Sequence, residues 1–275
     1  MTAAPMTDTA PARAVIPPAA RQSRFIRLLR ASRSWLAIAL ALVIWEGVVG
    51  WADIPTYMLP APSAVIDAFT AQPQLYLDGL WATTKMSLLG FAAAIVIGVF
   101  LAVLMARSEM FEDLAYPFLN IIRVMPTVAI APLLIIWFGR TGVPIVICSC
   151  LIAIFPIIVD VAHGLTSVDR DLVNMMKLAN AGELSVLTRI RIPNALPYLF
   201  SSFRIAAPGA VVGALLGEFI GSREGLGYLI TVYSAQLNTA AVFVLALLSC
   251  LLGVVFFNVC VFAERVIVPW KTVVR

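Results

Sequence analysis

"NMMKLANAGELSVLTRIRIP", residues 174–193, interrupts a chain built otherwise of long apolar runs. It carries Lys177, Arg189 and Arg191 against the single acid Glu183, and it separates apolar segments at 143–165 and 196–220. The whole chain of 275 residues is 61% hydrophobic and 12% charged. A soluble domain averages about 25% charged residues, so this density argues for a bilayer. The polar stretch then reads as a folded loop at the membrane surface, and the runs beside it as spans.

Working outward, a hydrocarbon core of ~30 Å needs about 20 apolar residues in a helix. Six segments meet this: 34–52, 79–106, 116–138, 143–165, 196–220 and 240–263. The expected fold is all-α, a polytopic membrane protein with six transmembrane helices in one domain over 31–270. A basic, Ala/Pro/Thr-rich tail over 1–30 is expected to be disordered. It is no cleaved signal peptide, because the apolar run after "RQSRFIRLLRASRSW" is too long for one. The third span holds Pro117, Pro126 and Pro132. Each removes a backbone donor and bends a helix, which a bilayer tolerates only beside protein or a water-lined cavity. That span is a candidate pathway wall.

Lysine and arginine orient the chain. With the N-terminus inside, the inner segments carry 14 of the 19 basic residues; the outer loops carry two, Arg140 and Arg223; three fall in or near spans. Both termini and the stretch 174–193 are therefore expected on the cytoplasmic side. Between the first two spans, "SAVIDAF" reads as a short outer-surface helix with Ser63 as N-cap.

The polar stretch has its own helical grammar. Ser167, Asp169 and Asp171 suit a helix start, and Leu172, Met175, Met176 and Ala179 make an apolar stripe. Asn180 and Gly182 offer left-handed or flexible positions to end that helix. "ELSVLTRIRI" forms a second short helix that Pro193 stops. From residues alone, a docking helix–turn–helix and an interfacial pair lying on lipid headgroups fit equally well.

The stretch resembles the cytoplasmic signature of ATP-binding-cassette importer permeases, E-A-A-x(3)-G-x(9)-I-x-L-P. Ile190-Arg191-Ile192-Pro193 stands for I-x-L-P, Asn180 for the glycine, and Asn174-Met175-Met176 for E-A-A. "LPAPSAV" at 59–65, "RVMPTVAIAPLLIIWFG" at 123–139, "ALPYLFSSFRIA" at 195–206 and "GEFIGSREGLGYLI" at 217–230 are similar to the nitrate/sulfonate/taurine branch. The likeness covers about 35–270. It implies a type I importer permease of the inner membrane, working as a dimer. Its implied partners are two ATPase subunits and an extracytoplasmic binding protein, with no nucleic acid. It also implies that a cytoplasmic element at about 168–193 couples to the ATPase, carried by Asn174, Met175, Met176, Lys177, Asn180, Gly182, Glu183, Ile190 and Pro193. Asn174 cannot supply the charge of the family's glutamate. The solute expected from this branch is a small organic or inorganic anion; relatives that import neutral heterocycles such as vitamin precursors give the alternative.

Several chemistries are absent. Nothing matches G-x-x-x-x-G-K-[ST], so ATP and magnesium are expected on a separate subunit rather than on this chain. No G-x-S-x-G or H-E-x-x-H occurs, and no enzymatic activity is expected. Cys148, Cys150, Cys250 and Cys260 lie in apolar runs, and the single histidine, His163, completes no zinc site with them. Polar groups on the third and fifth spans, Asn120, Arg123, Thr127, Ser201, Ser202 and Arg204, are the pathway candidates. The two arginines either attract an anion or snorkel to the inner surface. Asp160, His163 and Glu218 read as structural, although a proton-coupled transporter would use Asp160 and Glu218 as relay carboxylates.

Overall fold

A computed structural model of the chain describes residues 24–269, all helix, turn or loop. Residues 1–23, most of the expected tail, lie outside the described residues, and helix α1 (Arg24–Trp51) already includes 24–30. Helix α1 up to Val48 is one compact unit; the second begins at Val49 and holds every other element.

The second unit starts with α2 (Pro62–Ala71) and α3 (Pro73–Arg107). Ser63 is not the N-cap of α2. Ala61 occupies that position with extended φ −68° and ψ 151°, and Pro62 opens the helix. The ring of Pro62 pre-sets the φ of a first helical residue and drives the residue before it to extended backbone.

Next come α4 (Glu109–Val124) and α5 (Thr127–Phe138), bent by 96° at Met125-Pro126. Of the three prolines expected to bend this span, only Pro126 stands at the break. Pro117 and Pro132 are absorbed inside helices.

Helix α6 (Gly142–Thr166) runs parallel to α3, and α9 (Ile192–Gly221) runs antiparallel to both. Between them lie α7 (Arg170–Leu178), α8 (Glu183–Val186) and a π-turn (Leu187–Arg191). Helices α10 (Leu226–Ala235) and α11 (Thr239–Ile267) complete the unit. Four helical stretches among the described residues are long and apolar enough to cross a membrane, and the bent α4–α5 pair adds a fifth if it is one span.

The core of this unit is α6 held between α3 and α9, and small residues set its spacing. Ala94, Ala153, Ala207, Ala210 and Ala214 are fully buried. A Cβ on Gly213 would stand 2.6 Å from the Cys148 carbonyl oxygen; one on Gly90 would stand 2.2 Å from Ser149 Oγ. In a bilayer apolar side chains gain nothing by leaving lipid, so association rests on close packing of backbones over small residues. Ser149 adds a hydrogen bond from its Oγ to the Ala210 carbonyl, 2.9 Å away. The opposite face of α11 exposes Leu247, Leu251, Val254, Phe262 and Val266. Such a continuous apolar surface suits lipid or a neighbouring subunit.

These contacts sort the helix ends. The end carrying α7 and α8 is here called the polar end. The other, with α2, α10 and exposed Trp81 and Trp137 nearby, is the far end.

Gly213→Ala should destabilise the protein although alanine is the better helix former, because its Cβ meets α6 backbone rather than a movable side chain. Overpacking of this kind costs about 1–3 kcal/mol against about 1 kcal/mol of gained helix propensity. Gly253→Ala, with nothing within 4 Å, should be neutral or stabilising. Melting temperatures in detergent compare the two.

Candidate functional site

At the polar end, Asp169 Oδ1 accepts from the Asp171 amide at 2.9 Å and starts α7, as the acid cluster implies. The helix ends at Asn180, whose φ of +58° is left-handed. The Ala181 amide donates back to the Met176 carbonyl at 3.0 Å, the six-to-one bond of a Schellman turn. Asparagine tolerates this backbone better than other residues with a side chain, so the chain turns sharply without glycine. Gly182 is not the left-handed residue. It is extended, at φ −66° and ψ 159°, and caps α8.

Pro193 sits inside a helix rather than at its end. It does not stop a short helix; α8, the π-turn and α9 form one continuous helix, Glu183–Gly221. The Ile192 amide bonds the Leu187 carbonyl, five residues back rather than four. That wide turn makes room for the pyrrolidine ring, which would otherwise crowd the carbonyl four residues before it.

The turn sorts side chains into two faces. Leu172, Met175, Leu178 and Leu184 point outward, with Leu178 88% exposed. Val173 and Asn174 face a cleft of about 790 Å³ bounded also by Arg107, Glu112, Glu183 and Arg191. Met176 and Ile190 are half-buried, whereas Asn174, Asn180, Glu183 and Pro193 are exposed. The Lys177 side chain is outside the described ones. Asn174 thus lines the cleft, one turn before the exposed Leu178.

Two side chains fasten this segment to the bundle. Arg191 donates from Nη1 to the Ala106 carbonyl of α3 at 3.2 Å. Asn194 donates from Nδ2 to the Gly164 carbonyl of α6 at 2.8 Å and to Ser167 Oγ at 3.3 Å. Neither set of bonds was legible in sequence, since each joins positions 27 or more residues apart.

The pathway candidates do not form one constellation. Asn120 and Arg123 are exposed on α4, and the Arg123 guanidinium lies 5.2 Å from the centroid of the Phe155 ring of α6. Thr127 begins α5 just past the break. Ser201 is half-buried; Ser202 is fully buried and donates to the Leu199 carbonyl of its own helix at 2.7 Å. Arg204 neither stands free for an anion nor snorkels. It forms an ion pair with Glu264 of α11. Asp160 and His163 make no ion pair with each other among the described residues, and the His163 ring meets Tyr198 edge-on at 5.4 Å. All four cysteines are free thiols; Cys148 and Cys260 are buried, Cys150 is half-buried and Cys250 is exposed.

At the far end Glu218 is 1% exposed. Its Oε2 accepts from Thr83 Oγ1 of α3 at 2.9 Å and from the Gly227 amide of α10 at 2.8 Å. Thr83 Oγ1 in turn accepts from the Leu226 amide at 2.8 Å. The glycines of this segment fit the knot: Gly225 has φ +102°, and a Cβ there would fall 2.3 Å from Glu218 Cδ.

Residues 94–267 match the family of binding-protein-dependent transport system inner membrane components. The chain is 32% identical over 246 residues to a formylaminopyrimidine transport permease protein of Halalkalibacterium halodurans, covering 89% of this chain and 98% of that one. It is 30% identical to a riboflavin transport system permease protein of Chloroflexus aurantiacus, over 86% and 89% of the two. A Bacillus subtilis permease named for aliphatic sulfonates is 26% identical over 85% of each. An inward-facing structure of the MetNI methionine ABC transporter superposes with a TM-score of 0.55 at 19% identity, over 69% of this chain and 96% of that one. The chain therefore belongs to the binding-protein-dependent transport inner membrane components. It is a multi-pass, inner-membrane permease subunit of an ABC importer, and the family is a non-enzymatic membrane component.

Arg204→Met should lower the melting temperature because it leaves the buried Glu264 uncompensated, and Glu264→Leu should lower it less, because the Arg204 side chain is 39% exposed. The double variant should recover much of the loss and keep transport. A double variant that is stable yet inactive would return Arg204 to the pathway.

Proposed function

We propose that residues 168–193 are the cytoplasmic coupling element, through which a separate ATPase that binds ATP and magnesium drives this permease. The observation that carries this is the Asn180 turn. It leaves Met175 and Leu178 exposed on α7 and Leu184 exposed at the start of the helix that continues into α9. An apolar stripe with a polar surround fits a groove on a partner protein. In this reading six spans cross the membrane with both termini in the cytoplasm. Two copies pair with two ATPase subunits, and a binding protein delivers solute at the far end.

The solute class supported best is a small planar heterocycle of the vitamin-precursor kind. Relatives named for formylaminopyrimidine and riboflavin share 32% and 30% identity with this chain. A small sulfonate-like anion is the second reading, favoured by the relative named for aliphatic sulfonates. A ligand screen on the cognate binding protein separates them. Tight binding of a pyrimidine or isoalloxazine supports the first, and binding of sulfonates alone replaces it with the second.

For the coupling element, Asn180→Gly should hold the ATPase as well as the native chain, because glycine adopts positive φ without strain. Asn180→Val should insert normally yet lose ATPase, since a β-branched residue in that region costs roughly 1–2 kcal/mol or more. Pull-down of the ATPase at matched expression measures both. Equal retention by the two variants would contradict the assignment.

A further inference from the structure

The ATPase-docking reading places one event at the polar end; a binding protein acts at the other. One helix reaches both. Glu183–Gly221 is continuous over 39 residues, roughly 58 Å at 1.5 Å per residue. At the polar end Arg191 and Asn194 tie it to α3 and α6. At the far end, three residues before its last, Glu218 ties it to α3 and α10.

The far-end tie is built with unusual economy of atoms. A single carboxylate oxygen accepts two hydrogen bonds, one from a side chain of α3 and one from the first turn of α10. Thr83 passes the linkage on by accepting the Leu226 amide, so this cluster satisfies two of the amides that open α10. The backbone around it is cut to fit. A Cβ on Gly227 would stand 2.6 Å from the Leu215 carbonyl oxygen and 2.8 Å from Glu218 Cβ. Helix α10 therefore cannot shift against α9 without breaking bonds to a group that is otherwise buried.

This knot is also close to the surface. Glu218 helps line a cavity of about 170 Å³, together with Ser222, Arg223 and Glu224 from the α9–α10 loop and Arg140 and Thr141 from the loop before α6. Arg140 and Arg223 are the two basic residues that the sequence puts on the outer side. A partner pressing on either loop acts directly on the walls around the carboxylate.

We propose that Glu218, with Thr83, is a positioning residue for transport: it makes α3, α9 and α10 move together at the outer face, so that binding-protein contact there is transmitted along α9 to the ATPase. This rests on the coupling assignment for residues 168–193. Glu218 touches no solute and acts through the helices it joins.

The test uses the full complex, permease with its ATPase in lipid, assayed with and without the cognate binding protein as purified. Glu218→Ala should retain the ATPase and its unstimulated hydrolysis. Stimulation by the binding protein should fall about fivefold or more, within the range over which coupled sites influence each other. Glu218→Gln keeps an acceptor oxygen for both donors and should restore stimulation. If the Ala chain does not assemble, Thr83→Val decides in its place, because it removes the hydroxyl at nearly constant volume; Thr83→Ser is its rescue. Normal stimulation in an assembled Ala or Val complex overturns the proposal. So does a fall of stimulated and unstimulated rates in equal proportion, which marks a merely structural role. Failure of the coupling assignment shows separately, as ATPase retained by Asn180→Val.

Discussion

What the bundle depends on is the distance between backbones. Between α6 and α9 the side chains are missing where they would stand: Gly213 against Cys148, Gly217 against Ile145, Gly164 against Ala195. A bilayer supplies no hydrophobic drive for helices to associate, so contact has to come from shape and from bonds such as Ser149 to Ala210. Once α6 is fixed against α3 and α9, the two ends of α9 are set. The polar segment then emerges where α3 and α6 both end.

The same constraint explains why α4 and α5 can be irregular. A break of 96° at Pro126 leaves backbone groups that lipid could not satisfy. The pair lies against α6 and α9, with Ala131 and Leu134 buried beside Cys148. Asn120 and Arg123 are exposed on α4, before the break.

Sequence legibility followed the range of each interaction. Four of the six expected spans, five with the bent pair, were readable because apolar length is a property of single segments. The α7 start and Asn180 turn were readable because each is closed within six residues. Ser63 misled because its neighbour Pro62 is the stronger boundary signal. Pro193 misled because a π-turn five residues long absorbs it, and nothing in "LTRIR" announces one. Arg204 was assigned to pathway or surface because its partner Glu264 stands 60 positions away. Glu218 was legible as structural from its glycine-rich setting, but Thr83, 135 positions earlier, was not.

The central claim is that exposed apolar side chains of α7 and α8, joined to α9 through the Asn180 turn, receive the force of ATP hydrolysis. Photocrosslinking tests it most directly, with a benzophenone side chain placed at Leu178 or, as control, at Gln236 on the far end. The account predicts that Leu178 crosslinks the ATPase in the assembled complex and Gln236 does not. Crosslinks from Leu178 to lipid alone, or to the ATPase from Gln236, would contradict it.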